Sequence, residues 1–205
     1  MMKIFSQVNK YYKDLRIRFA EKTCFVNSDF DTSFNKVRTQ ETAIGNFIAD
    51  LTRAEYSADI CFLASGSIRS DKLFKKGAVL LGDWEDMLPF HPITVKLEIS
   101  GKKVLEALEN SVSAYPNYEG RFMQLSGITL EFDPQKPPFE RILKETVFVN
   151  GESLDLERKY TVATTDYQAE GNDGYSCLKD AKQLIDEENG IPINQILLNF
   201  FRKFY

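Results

Sequence analysis

The 205-residue sequence predicts an α+β fold, because strand-like and helix-like segments are mixed without strict alternation. A strictly alternating order would instead indicate a parallel, doubly wound sheet. Residues 59–64, all apolar after Asp59, are typical of a buried strand, whereas residues 102–115 carry apolar side chains at helical spacing. The Asn150-Gly151 pair between two extended arms predicts a β-hairpin.

The first half of the chain begins with an amphipathic helix predicted for residues 3–21. Its apolar stripe consists of Ile4, Val8, Tyr11, Leu15 and Phe19, with lysines and arginines between them. The residues themselves favour packing of this stripe on the rest of the domain. A second helix is expected to begin after Thr39 or Thr42, either of which can cap it.

The rest of the chain alternates between strands, short helices and turns. Asp83 and Asp86 are expected at the N-cap and third position of a short helix that stops at Pro89. The remaining expected elements are strands at 93–99, 122–132 and 160–164, and helices at 102–115, 177–188 and 194–204.

Composition excludes several classes of function. The net charge is −4 and no basic stripe stands out, which argues against binding to nucleic acid. No apolar run is long enough to cross a bilayer, so no membrane segment is predicted. Cys24, Cys61 and Cys177 are predicted to be free thiols, since they are odd in number and far apart. His91 is the only histidine and has no evident Ser or Cys partner, which argues against a self-sufficient hydrolase.

A glycine-bracketed loop at residues 165–175 carries the most informative chemistry. It follows the strand at 160–164 and combines Tyr167, Asp173 and two glycines. Glycine lets a backbone approach a ligand closely, an aromatic ring stacks on a flat ring, and a carboxylate accepts from hydroxyls. An ordinary turn would use the same residue types, so the loop alone leaves both interpretations open.

Four further motifs occur in a fixed order with this loop. They are E-T-A-I-G-N-F-I-A-D at residues 41–50, L-A-S-G-S-I-R-S at 63–70, P-F at 89–90 and G-R-F-M-Q-L-S-G at 120–127. Together with Y-Q-A-E-G-N-D-G-Y at 167–175, they resemble the C-terminal, substrate-binding domain of the 5′-nucleotidase / 2′,3′-cyclic phosphodiesterase family, over residues 36–204.

The resemblance implies a layered sandwich of helices and mixed β-sheets. It also implies a division into an amphipathic helix and linker at residues 1–35, similar to the family's interdomain hinge, and the domain itself at residues 36–205. The implied ligand is a nucleoside or nucleotide whose base is held between Phe90 and Tyr167. Arg69 would bind a phosphate or ribose oxygen, and Asp173 the ribose hydroxyls. The complete set of expected substrate-binding residues is Phe90, Tyr167, Arg69, Asp173, Gly66 and Gly171.

Residue chemistry alone offers other roles for several of these positions. Phe90 is also suited to a core position, and Asp173 to an Asx-turn. Gly171 also suits a purely conformational role.

No catalytic residue, metal ligand or cofactor is expected in these 205 residues. The family's hydrolysis uses two divalent metals bound in an N-terminal catalytic domain, and one histidine cannot build such a site. The chain by itself is therefore expected to be inactive and to depend on a separate or missing metallophosphoesterase domain. A complete chain would be cytoplasmic, and a piece of a secreted precursor periplasmic or extracellular.

Departures from the family pattern support an alternative function. Ala43 replaces a common arginine, and Ala64 occupies a position where the family commonly has an amide or hydroxyl. Pro92 replaces an asparagine, and Asn172 replaces a glycine. Because these changes remove polar ligand contacts, binding is expected to be weaker or of different specificity. The alternative is a degenerate nucleotidase domain that acts as a protein-interaction module.

Overall fold

The structure, a computed structural model, describes residues 2–203. The helices within these residues are α1 Met2–Phe19, α2 Phe34–Val37, α3 Ala43–Glu55, α4 Leu81–Met87, α5 Gly101–Val112, α6 Asp166–Ala169 and α7 Ile193–Arg202. The strands are β1 Lys22–Val26, β2 Phe30–Asp31, β3 Ile60–Ala64, β4 Leu73–Phe74, β5 Gly77–Leu80, β6 Ile93–Ser100, β7 Met123–Ser126, β8 Ile128–Thr129, β9 Phe148–Val149, β10 Glu152–Ser153, β11 Lys159–Thr165, β12 Lys182–Ile185 and β13 Ile191–Pro192.

A six-stranded mixed sheet forms the centre of the fold. Its strand order is β12-β6-β11-β3-β7, and β13 also pairs with β6. β3 and β11 are parallel, with Ile60 opposite Val162, whereas the other pairs in this sheet are antiparallel. Smaller sheets pair β1 with β5, β2 with β4, and β8 with β9 and β10.

Helices cover both faces of the central sheet. Alternate residues of each strand point to opposite faces, so Phe62 packs with Val104 of α5, whereas its neighbour Leu63 packs with Ile48 of α3 and Leu197 of α7. The expected α+β fold with layered helices and mixed sheets is thus confirmed.

The topology brings four connections to one edge of the sheet. The carboxyl ends of the parallel strands β3 and β11 lie at this edge. β6 runs antiparallel to β11 with Thr94 opposite Thr165, and β7 runs antiparallel to β3 with Met123 opposite Ala64. The segments after β3 and β11 and those before β6 and β7 therefore meet there. Crevices at the carboxyl ends of strands are common ligand sites.

The N-terminal helix makes limited contact with the rest of the domain. α1 contacts α4, but Tyr11 of its predicted apolar stripe is 69% exposed, so the expected packing of the stripe on the domain is wrong at this position. The side chains of Ile4 and Val8, from the same stripe, lie outside the described part of the chain. β1 and β2 pair with β5 and β4, so residues 22–31 belong to two of the smaller sheets. The division at residue 35 stays a prediction.

Several expected elements are confirmed. Thr42, rather than Thr39, is the N-cap of α3, and its hydroxyl accepts from the Gly45 amide at 3.2 Å. The hairpin turn has Asn150 at φ 51° and Gly151 at φ 85°, the left-handed pair that an Asn-Gly turn favours. α4 ends at Met87, before Pro89.

Three local expectations are wrong. The strand expected at 122–132 breaks at Gly127, whose φ of 77° separates β7 from β8. The helix expected at 177–188 is a short turn followed by β12, because residues 182–185 complete the sheet beside β6. Asp83 is not the N-cap of α4. It lies three residues inside the helix, where its carboxylate accepts from the Leu80 amide at 2.8 Å.

Candidate functional site

A cavity of about 590 Å³ lies where the four connections meet. Its lining consists of Arg38, Ala64, Gly66, Ser67, Arg69, Phe90, His91, Pro92, Gly120, Asp166, Tyr167 and Asp173. Five of the six residues expected to bind substrate belong to this lining. The sixth, Gly171, is not among the lining residues and begins the Asn172–Gly174 turn with φ 89°. Ligand contact by Gly171 stays a prediction.

Two exposed aromatic rings border the cavity. Phe90 is 65% exposed and Tyr167 is 49% exposed, so neither ring belongs to the core. Phe90 follows the end of α4, and Tyr167 lies in α6, which Thr165 caps by accepting from the Gln168 amide. The core position that residue chemistry alone allowed for Phe90 is therefore excluded. Exposed aromatic rings beside a cavity are suited to stacking on a flat ligand.

Two guanidinium groups also face the cavity, with the Phe34 ring beside both of them. The Arg38 guanidinium carbon lies 4.0 Å from the centre of this ring, and that of Arg69 lies 5.8 Å away. The guanidinium carbon of Arg69 also lies 5.4 Å from the centre of the Phe90 ring. Burial, and secondarily the charge of Arg69, lower the pKa of Arg38 from its ordinary value. The two like charges favour an anionic ligand between or beside them.

Asp173 presents a carboxylate to the same cavity. Its backbone is left-handed, with φ 52° and ψ 27°. Its Oδ1 accepts a hydrogen bond of 3.1 Å from the Tyr167 hydroxyl. Burial, followed by the charge of Asp173, raises the pKa of Tyr167, so this hydroxyl stays protonated and donates at neutral pH. The second carboxylate oxygen and the remaining lone pairs are suited to accept from vicinal hydroxyls.

The floor of the cavity is a close contact between two glycines. The Gly66 amide donates to the Gly120 carbonyl at 2.9 Å. A Cβ on Gly66 would lie 3.1 Å from the Gly120 Cα, and a Cβ on Gly120 would lie 3.6 Å from Asp173 Oδ2. A side chain at either position would push the loops apart and reduce the space in front of Asp173.

Arg38 is the main lining residue that the sequence did not identify. It lies in the segment between β2 and α3, and its Nη1 donates to the Tyr118 carbonyl at 2.8 Å. Its position three residues before the motif at 41–50 is the only sequence signal. Arg38 thus brings a second guanidinium to the cavity, in addition to that of Arg69.

His91, the single histidine of the sequence, lies beside the cavity. It has φ 47°, and its Nε2 lies 2.5 Å from Glu85 Oε2. His91 and Pro92 line the cavity beside Phe90, where the family pattern has glycine and asparagine. Both side chains therefore border the cavity next to one of the two aromatic rings.

Residues 2–203 contain no group of three or more His, Cys, Asp or Glu side chains arranged to hold a metal ion. His91, Asp166 and Asp173 all line the cavity, but they do not form such a group. In the same part of the chain, no helix is both long enough and apolar enough to span a bilayer.

Known proteins with similar sequences are nucleotide phosphoesterases. The chain is 31% identical over 182 residues to the trifunctional nucleotide phosphoesterase protein YfkN of Bacillus subtilis, a match that covers 85% of the chain and 12% of that protein. It is 29% identical over 194 residues to a 5′-nucleotidase of Vibrio vulnificus, covering 95% of the chain and 32% of that protein.

Structural similarity indicates the same relationship. A crystal structure of a 5′-nucleotidase precursor from Thermus thermophilus superposes with a TM-score of 0.86 at 27% identity, and covers 96% of this chain and 39% of that one. The chain thus spans well under half the length of these relatives. The family model for the 5′-nucleotidase C-terminal domain matches residues 19–180. The chain therefore belongs to the 5′-nucleotidase family, as its C-terminal domain.

Proposed function

We propose that this domain binds a nucleotide, with the base stacked between Phe90 and Tyr167. The observation that carries the proposal is the pair of exposed aromatic rings on one cavity that is also lined by two arginines and two aspartates. Each component of a nucleotide then has a chemical counterpart. The aromatic rings can stack on the base, and the Asp173 carboxylate can accept hydrogen bonds from the ribose hydroxyls. The guanidinium groups can donate charge-assisted hydrogen bonds to the phosphate.

The second guanidinium favours a phosphorylated ligand over a nucleoside. Arg38 and Arg69 both face the cavity, and burial already lowers the pKa of Arg38. Asp71 and Asp173 oppose the effect of Arg69 on Arg38, and a phosphate dianion would add further favourable charge beside the two guanidinium groups, whereas an uncharged nucleoside would not. Stacking itself is tolerant of the base, since every base has a π-face. The site therefore supports recognition of several nucleoside monophosphates.

Hydrolysis of the phosphate ester would be carried out elsewhere. A metallophosphoesterase domain, in the same or another polypeptide, would bind the two divalent metals and activate water. The domain described here would hold the nucleotide so that its phosphate reaches those metals. This assignment is supported by the partial coverage of the related 5′-nucleotidases, which extend well beyond the matched region.

Isothermal titration of the 205-residue chain with AMP, CMP and adenosine, without added metal, tests the proposal. We expect micromolar to low-millimolar binding of both nucleotides and weaker binding of adenosine. An absence of heat with all three ligands, from a sample that unfolds cooperatively, would refute nucleotide binding by this domain.

A second candidate function is protein interaction, which the exposed side of α1 favours. Tyr11, Tyr12 and Ile17 are all largely exposed on this helix. A domain that had lost nucleotide binding could retain this surface for a partner. Light scattering after size-exclusion chromatography distinguishes the two functions, because a monomer that binds AMP supports the first, and an oligomer that does not bind AMP supports the second.

A further inference from the structure

A buried asparagine holds the turn that carries Asp173. The left-handed conformation of Asp173 is unfavourable for a residue with a side chain. Its carbonyl oxygen accepts a hydrogen bond of 3.0 Å from Nδ2 of Asn110. Asn110 lies near the end of α5 and is 4% exposed. A rigid core helix therefore restrains the backbone of an exposed loop.

Gly174 fits against the same amide group. Its φ is 85°, and a Cβ at this position would lie 2.5 Å from Asn110 Oδ1. The backbone of the loop can approach Asn110 this closely only because residue 174 has no side chain. The contact between Asn110 and Gly174 thus fixes the distance between the loop and α5.

The restraint extends from Asp173 to the aromatic ring. Oδ1 of Asp173 accepts from the Tyr167 hydroxyl at 3.1 Å, and the side-chain amide of Asn172 donates to the Tyr167 carbonyl at 3.0 Å. Both ends of Tyr167 are therefore bonded to the turn that Asn110 holds. Asn110 itself is not among the residues that line the cavity.

We propose that Asn110 is a positioning residue for nucleotide binding. It holds Asp173 in the conformation that directs the carboxylate into the cavity, and through that carboxylate it orients the Tyr167 ring. The inference deepens the proposed function and rests on it for the binding measurement described next. Asn110 would act without contacting the nucleotide itself.

A double-mutant cycle with AMP as the ligand separates positioning from a general structural role. Asn110→Ala is expected to weaken AMP binding roughly tenfold in the otherwise unchanged chain. In the Asp173→Ala background it is expected to change binding by less than about twofold, because its route to the ligand is already removed. Equal weakening in both backgrounds would overturn the inference.

Hydrogen exchange provides a test that needs no ligand. In Asn110→Ala, amides of residues 170–175 are expected to exchange at least about tenfold faster, with β6 and β11 unchanged. Unchanged exchange in this loop would overturn the inference. If the unaltered chain does not bind AMP, the proposed function fails, and exchange still decides the role of Asn110.

Two further variants complete the experiment. Asn110→Leu keeps the branched shape of the side chain without its hydrogen-bonding groups, and replaces the alanine variant if that protein does not fold. Thr52→Val is the control, since Thr52 is buried in α3 and its hydroxyl donates to the Ile48 carbonyl at 2.8 Å. The control is expected to leave both AMP affinity and exchange in the loop unchanged.

Discussion

Removal of the Tyr167 ring is the most informative single perturbation of the proposed site. The ring lines the cavity and is 49% exposed, so its truncation removes little buried contact. The hydroxyl makes one hydrogen bond, to Asp173, at an exposed position. We therefore expect Tyr167→Ala to reduce the free energy of unfolding by less than about 1 kcal/mol.

The effect on binding should be much larger than the effect on stability. Stacking of a base on one aromatic ring contributes about 1–3 kcal/mol. Loss of that contact corresponds to a roughly 5- to 150-fold increase in the Kd for AMP. Tyr167→Phe keeps the ring and removes only the hydrogen bond to Asp173, so it should raise the Kd by less than about tenfold.

Titration calorimetry with AMP measures the Kd of the unaltered chain, Tyr167→Ala and Tyr167→Phe. Thermal denaturation of the same proteins measures their Tm. Tyr12→Ala is the matched control, because Tyr12 is 63% exposed on α1 and does not line the cavity. This control should bind AMP as the unaltered chain does. An unchanged Kd in Tyr167→Ala, from a sample with an unchanged Tm, would refute the role of the ring in stacking.

Three further predictions concern one arginine of the cavity lining and two polar residues that are not part of it. Arg38→Gln should weaken AMP binding by roughly tenfold or more and adenosine binding by less than about threefold in titrations, because the guanidinium is assigned to the phosphate. Gln124→Ala should lower the free energy of unfolding by about 3 kcal/mol in chemical denaturation, since this fully buried amide accepts from the backbone amide of Thr42 and donates to the carbonyls of Val37 and Gln40. Asp31→Asn should cost about 1 kcal/mol at pH 7, because Lys36 and then Ser33 lower the pKa of Asp31 to about 2. Since the folded-state pKa is depressed, that difference should disappear as the pH falls from about 4 to 2 in denaturation curves, and a pH-independent cost would contradict it.

Local sequence patterns predict much of this fold. The alternation in β6 and the helical spacing in α5 each depend on neighbouring residues and a single buried face, which a sequence displays directly. The Asn150-Gly151 turn is similarly local. By contrast, β12 forms because residues 182–185 pair with β6, and the same apolar residues are compatible with a helix. Such pairing between distant segments is not visible in a local pattern.

The sequence predicted several of the residues that line the candidate site, but not how the fold brings them together. Ordered motifs identified Phe90, Arg69 and Tyr167, all of which line one cavity. The parallel pairing of β3 with β11 brings these segments together, and its partners are about a hundred residues apart in sequence. Arg38 has no motif of its own, because its place in the cavity depends on the contact with the Phe34 ring. The role of Asn110 likewise depends on a helix and a loop that meet only in three dimensions.

Contact of the base with both Phe90 and Tyr167 can be observed in solution. The measurement is of intermolecular NOEs between the H2 and H8 protons of bound AMP and the assigned ring protons of these two residues. We expect NOEs from the base to both rings, and loss of the Tyr167 set in Tyr167→Ala. AMP that binds with base NOEs only to residues outside this cavity would contradict this expectation.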